Sequence, residues 1–183
     1  MPHTIEIPVR LDYEKFKDFA HFDIFKLRKR WRLPAAFAAI LTAFATVCFI
    51  VSNDSNQGYL LGGVLLVVGL GLPAAYFAQY FSDVKKQARL QGLTKPRLVY
   101  TVLLDEAGVT QRTGGGATKM QDAPLVPWSE VFGAWREEKA VYLYVAPTRA
   151  LLLPNGQANV SDARLWDYIR EHLPAEKLHE AKK

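Results

Sequence analysis

The side chains able to do chemistry are few and scattered. The four histidines are His3, His21, His172 and His179, and no two sit at metal-ligand spacing within one element, so solvated or helix-end roles are expected. Cys48 is the single cysteine and lies in an apolar run, which excludes an internal disulfide or a multi-Cys zinc site and favours a thiol packed as an apolar group. Asp105 and Glu106 form a carboxylate pair of the kind used in acid-base work, but they sit where a turn is expected, and a turn selects Asp for its backbone. Glu137 and Glu138 mark a hairpin tip in the same way. Gly114, Gly115 and Gly116 lack the following helix and Lys-Ser/Thr of a phosphate loop and read as a flexible tip. Arg112 and Lys119 flank that tip and could meet a phosphate, though two dispersed charges make a weak site. No nucleophile and base pair can be nominated, so no catalytic, cofactor-binding or metal-binding residue is assigned and an enzyme is not expected.

The elements around these residues are more informative. The chain has 183 residues, a net charge of +5 and 50% hydrophobic content, which excludes general disorder. Its mean hydropathy of -0.02 hides a sharp segregation, since Asp54 is the only charged residue between Leu33 and Phe81. Residues 33–52 and 59–81 are uncharged runs that as helices would be about 30 and 34 Å long, against a hydrocarbon core of about 30 Å. The polar residues 53–58 between them predict a tight antiparallel transmembrane hairpin. Buried helices of a soluble bundle normally keep a polar stripe, and neither run has one. Few polar groups lie inside the spans (Thr42, Thr46, Gln79), which argues against a transport path.

Lysine and arginine set the orientation. None lies between the spans, whereas Lys26, Arg28, Lys29, Arg30 and Arg32 precede them, and Lys85, Lys86 and Arg89 follow, with Lys95 and Arg97 beyond. Both termini are therefore expected in the cytoplasm. Charge by segment is +3 for residues 1–32, -1 for 33–81, +3 for 82–96 and zero for 97–183. The basic excess is juxtamembrane, so anionic lipid headgroups are the expected counterions and nucleic acid is not an expected partner. Small residues predict how the spans meet: Ala35, Ala39 and Ala43 on the first, Gly58, Gly62 and Gly69 on the second, either packing within the hairpin or forming a homodimer contact. A kink is expected at Pro73.

Residues 1–32 read as a strand and an amphipathic helix. Ile5, Ile7, Val9 and Leu11 alternate onto one face, and Pro8 restricts this strand to a sheet edge. Asp12 is the expected N-cap of the helix that follows, which is rich in Phe and lies either in the headgroup interface or against the C-terminal domain. The edge strand, having no local partner, is expected to join the C-terminal sheet. After a basic linker over 82–96, strands are expected at 98–104, 109–113, about 119–126, 131–136, 141–146 and 150–153. A helix then follows from a Ser161 cap to Leu173, ended by Pro174. Trp128, Trp166 and Ile169 are the expected domain core, and 174–183 a frayed polar tail. The fold class is thus membrane α+β: a transmembrane hairpin and a cytoplasmic antiparallel β domain over 97–173, of pleckstrin-homology type and closed by one helix.

Three motifs, Asp105-Glu106-Ala107-Gly108-Val109, Trp128-Ser129-Glu130-Val131 and Leu151-Leu152-Leu153-Pro154, together with the layout of nearly the whole chain, resemble the YcxB-like proteins. That family has two membrane spans with a tight loop and a cytoplasmic domain similar to bacterial pleckstrin-homology domains. The stretch from Gly114 to Pro127 departs from its shorter hairpin. The resemblance implies a multi-pass protein of the bacterial cytoplasmic membrane and no established reaction, cofactor or catalytic residue. The expected role is an interaction module that binds a protein partner or self-associates; the alternative is an immunity or regulatory protein neutralising a membrane-associated partner such as a toxin.

Overall fold

The computed structural model describes residues 4–51, 56–113 and 121–180. The chain forms two compact units, one of residues 1–15 and 93–183 and the other of residues 16–92.

The first unit is built on two sheets. Strands β1 (Ile5–Leu11), β2 (Arg97–Leu104) and β3 (Gly108–Thr113) run antiparallel in that order, and β3 also pairs with the short β4 (Gln121–Asp122) and β5 (Val126–Pro127). The second sheet has the order β8-β7-β6-β9, from β6 (Gly133–Arg136), β7 (Ala140–Ala146), β8 (Arg149–Pro154) and β9 (Leu178–Glu180). Helix α4 (Asp162–His172) begins at Ser161, whose side chain accepts from the Arg164 amide, so the expected cap is formed. Trp128, Trp166 and Ile169 are all buried.

The β unit is wider than 97–173 at both ends. β1 pairs with β2 from Ile5 opposite Leu104 to Leu11 opposite Arg97, and its alternation buries Ile5, Ile7, Val9 and Leu11. Its outer edge is closed by a loop. Asn159 Oδ1 and Gln157 Oε1 accept from the Glu6 and Arg10 amides at 3.1 and 2.7 Å, while the Asn159 amide and Gln157 Nε2 donate back to the Glu6 and Arg10 carbonyls, both at 3.0 Å. Pro8, between these residues, lacks an N–H on the side where no ladder needs one, which is why the edge tolerates it. At the other end, residues 174–180 are not a frayed tail. They form a 3-10 turn (Ala175–Lys177) and then β9, which pairs parallel to β6, so the second sheet is mixed rather than antiparallel. Lys177 Nζ donates to the Ser129 and Val131 carbonyls at 3.0 and 2.7 Å, and Trp166 Nε1 donates to Glu180 Oε1.

Tyr100 of β2 joins the two sheets. Its hydroxyl accepts from the Leu152 amide at 2.9 Å and donates to the Leu152 carbonyl at 3.4 Å. Burial pushes this phenol up to about 12.

The second unit is helical. Helix α1 (Tyr13–Phe22) starts in the first unit at Asp12, whose Oδ1 accepts from the Lys15 amide at 2.9 Å as expected of an N-cap, and it passes into a π-helical turn (Asp23–Leu27). Burial pushes the Asp12 carboxyl up, but its hydrogen bonds to the Lys15 side chain and amide outweigh this and hold it below the usual carboxylate range. Helices α2 (Arg32–Val51) and α3 (Asn56–Leu90) follow. α3 passes through Pro73 as one helix and continues to Leu90, so residues 82–90 of the expected linker are helical. Residues 83–90 contain no Gly or Pro, and Gly92, at φ +67°, is the first breaker.

Candidate functional site

The hairpin is the feature on which function can be built. A Cβ added at Gly62 would lie 2.6 Å from the Phe49 ring and one at Gly69 2.8 Å from Leu41 Cβ, so α2 and α3 are antiparallel and in close contact at these glycines. Gly58 is half-buried near the start of α3. The expected alanine face does not serve the packing within the hairpin: Ala35, Ala39 and Ala43 are exposed, and α2 packs on α3 through Ala38, Leu41, Ala45 and Phe49. The two faces differ by one residue, or about 100° of rotation. A small residue marks a contact only where a larger group opposes it, as Leu41 and Phe49 oppose the two glycines.

Outside that seam the helices are apolar and uncovered. Only 6% of the apolar window of α2 and 11% of that of α3 is buried, and both are long and apolar enough to cross a membrane. Their polar groups are satisfied locally: Thr46 Oγ1 donates to the Thr42 carbonyl at 2.9 Å and Gln79 Nε2 to Asp83 Oδ1 at 3.1 Å.

At the end where α2 begins, an aromatic group that the sequence reading did not assemble binds the end of α1 to α3. His21 stacks on Phe25 (4.4 Å between centroids) and Phe81 (6.1 Å), Phe25 stacks on Phe77 (5.9 Å), and the Tyr80 hydroxyl donates to the Ala20 carbonyl at 3.0 Å. The signal was present as Phe22, Phe25, Tyr76, Phe77, Tyr80 and Phe81 all near one end of the apolar runs. The helix after Asp12 therefore has a third burial surface, α3 itself.

The basic residues surround this group at staggered heights. Arg28 is engaged, its Nε 3.0 Å from Asp23 Oδ1, while Lys26, Lys29, Arg30 and Arg32 are exposed. The glycine contacts place Arg32 level with about residue 78 of α3, so exposed Lys85, Lys86 and Arg89 follow roughly 10 to 16 Å further along. Lys29 adopts φ +49°, the left-handed region that L side chains disfavour by roughly 1–2 kcal/mol. It reverses the chain after the π turn, with the Arg28 and Arg30 amides donating back to the Asp23 and Ile24 carbonyls. In detergent-solubilised protein titrated with denaturing surfactant, Lys29→Gly and Lys29→Asn are expected to match or exceed the native chain in stability, and Lys29→Val to fall below it by about 1 kcal/mol.

In the β unit Asp105 and His172 serve the backbone, and Arg112 serves a surface ion pair. Asp105 Oδ1 accepts from the Ala107 and Gly108 amides at 3.0 and 2.9 Å, which makes it a turn residue. Trp128 Nε1 donates to the Asp105 carbonyl at 2.8 Å, so two of the three quoted motifs meet at one point. His172 Nδ1 donates to the Tyr168 carbonyl at 2.8 Å, and its ring packs on Trp128. Arg112 is paired with Asp122 at 2.7 Å, which raises the guanidinium and lowers the carboxyl. Lys119 and the three-glycine tip lie outside the described residues, as does His3. Cys48 is a half-buried free thiol. Among the described residues no three His, Cys, Asp or Glu side chains converge as a metal site requires. Among the exposed large apolar residues of this unit, Leu98, Leu125 and Phe132, the aromatic one is Phe132, 47% exposed and stacked on Trp135, which stacks in turn on His179.

The class defined is an α+β chain that combines a two-sheet unit with an apolar helical hairpin. No protein-family model, curated protein or solved structure matches it.

Proposed function

We propose that this chain is an integral protein of the bacterial cytoplasmic membrane, YcxB-like in layout. Its hairpin crosses the bilayer twice, both termini are cytoplasmic, and its β unit is a pleckstrin-homology-like module that binds a protein partner or a second copy. The observation that carries this reading is the uncovered apolar surface of α2 and α3, which water would penalise by about 25 cal/mol per Å2 and a bilayer would not. The aromatic group beside Arg30 and Arg32 supports it, because aromatic and basic residues favour the membrane interface. Two sheets joined through Tyr100 and accompanied by a C-terminal helix support the pleckstrin-homology-like part.

An interaction role is favoured over catalysis because Asp105 is committed to the turn amides and Arg112 to Asp122. The stack of Phe132, Trp135 and His179 is the surface nominated for the partner, since exposed aromatic residues concentrate binding energy. A photo-cross-linking residue in place of Phe132 in membranes should give a discrete adduct, resolved by mass spectrometry as a partner or a second copy. The same residue in place of the exposed Arg164 on α4 should give none. Equal, diffuse adducts at the two positions would remove the nominated surface.

A further inference from the structure

The hairpin carries a cavity that its own packing does not use. Arg30, just before α2, with Leu33 and Phe37 from its start and Leu72, Pro73 and Tyr76 from α3, line an open-sided groove of ≈ 770 Å3. That volume falls within the range of about 300–1,000 Å3 typical of ligand sites. The groove lies where the close seam ends: Gly69 is in contact with Leu41, and Pro73 and Tyr76 follow about 6 and 10 Å further along α3. Its walls are substantially uncovered, with Leu33 80%, Phe37 40%, Leu72 58% and Tyr76 42% exposed.

One charged group stands in this apolar lining. The Arg30 guanidinium has no carboxylate within 4.0 Å among the described residues, whereas its neighbour Arg28 is held by Asp23. Arg30, Lys29 and Arg32 together give this end of the hairpin positive charge with no acidic residue between 24 and 53 to offset it. An apolar trough with a guanidinium at its edge complements an amphiphile that has a hydrocarbon chain and a negative head.

We propose that the groove holds one molecule of anionic phospholipid, an acyl chain lying along Phe37 and Leu72 and the phosphate on Arg30. This deepens the membrane reading and rests on it, because in a bilayer the molecules that reach the groove are lipids. The Tyr76 hydroxyl is a second donor on the same wall. The bound lipid covers apolar surface that the two helices leave open between them, and so belongs to the hairpin's packing as well as to its surroundings.

The test is native mass spectrometry of the full chain in detergent, titrated with dioleoyl phosphatidylglycerol and, separately, with dioleoyl phosphatidylcholine. The first phosphatidylglycerol adduct should form at about tenfold lower concentration than the phosphatidylcholine adduct. Arg30→Gln should abolish that preference, while Arg32→Gln, which removes the same charge outside the groove, should retain it within about twofold. Leu72→Trp, which fills the trough and keeps Arg30, should weaken both adducts. Equal effects of Arg30→Gln and Arg32→Gln, or no effect of Leu72→Trp, would reduce the interaction to general electrostatics and overturn the site. A chain extracted from membranes by alkaline carbonate without detergent would instead overturn the membrane reading, so the two failures are distinguishable.

Discussion

Ile7→Asp in the full chain is expected to abolish cooperative unfolding of the β unit. Ile7 is fully buried, and Ile5, Val9 and Leu11 beside it are each exposed by 4% or less. Burial of such side chains contributes about 1.5–3 kcal/mol each, and truncating one to Ala costs about 2–5 kcal/mol. Asp loses that packing and also places an unpaired carboxylate in the core, a combined cost that consumes most of the roughly 5–15 kcal/mol by which domains are stable. Glu6 is the control, because its side chain points outward in the same strand. Glu6→Gln should change stability by less than about 0.5 kcal/mol. Denaturant unfolding followed by tryptophan fluorescence, in a Trp31→Phe background that leaves Trp128, Trp135 and Trp166 as reporters, measures both. Native-like unfolding of Ile7→Asp would show that β1 is dispensable to the sheet.

The second large effect is at Tyr100. Tyr100→Phe removes the hydroxyl that satisfies both the amide and the carbonyl of Leu152, which should cost about 1–3 kcal/mol for the unpaired buried groups. The same substitution should alter the alkaline limit of stability. Burial raises the folded-state value of this phenol to about 12 from 10.0, so its contribution is fully present below about pH 10 and is lost as pH rises through 12. Complete titration removes about 3 kcal/mol. The stability difference between native chain and Tyr100→Phe should therefore narrow between pH 10 and pH 12. A difference that stays constant over that interval would show that the phenol is not the group joining the sheets.

The elements legible in the sequence are those in which one local signal and one burial surface agree. The alternation of Ile5, Ile7, Val9 and Leu11 forecast both the strand and its place at an edge, because Pro8 allows no other. Asp12 and Ser161 marked helix starts, since their side chains accept from amides three residues on. What could not be read depended on partners distant in sequence. The alanine stripe does not mark the seam within the hairpin, because that seam is set by Phe49 and Leu41 opposite two glycines, and large residues on an apolar helix carry no signal of which face they take. The continuation of α3 past Phe81 was hidden by a change of composition: Asp83, Lys85, Lys86 and Arg89 read as a linker when polarity is followed, but all are compatible with a helix. β9 escaped notice because a three-residue strand rich in polar groups has no periodicity. It exists through its pairing with β6 and the bond from Trp166 to Glu180. At the candidate site, the basic residues were visible from composition alone, but their stagger, the engagement of Arg28 by Asp23 and the groove at Arg30 follow from the packing of three helical segments.

The central claim is that the hairpin spans a bilayer with the β unit on the side of the basic flanks. The most direct measurement is labelling of single cysteines by a membrane-impermeant maleimide in sealed right-side-out vesicles, in a Cys48→Ala background. Asn56 begins α3 at the end remote from Arg32, and Arg164 lies on the exposed face of α4. Asn56→Cys should label in sealed vesicles, whereas Arg164→Cys should label only once the membrane is permeabilised. Equal labelling of the two positions in sealed vesicles would contradict the proposed topology.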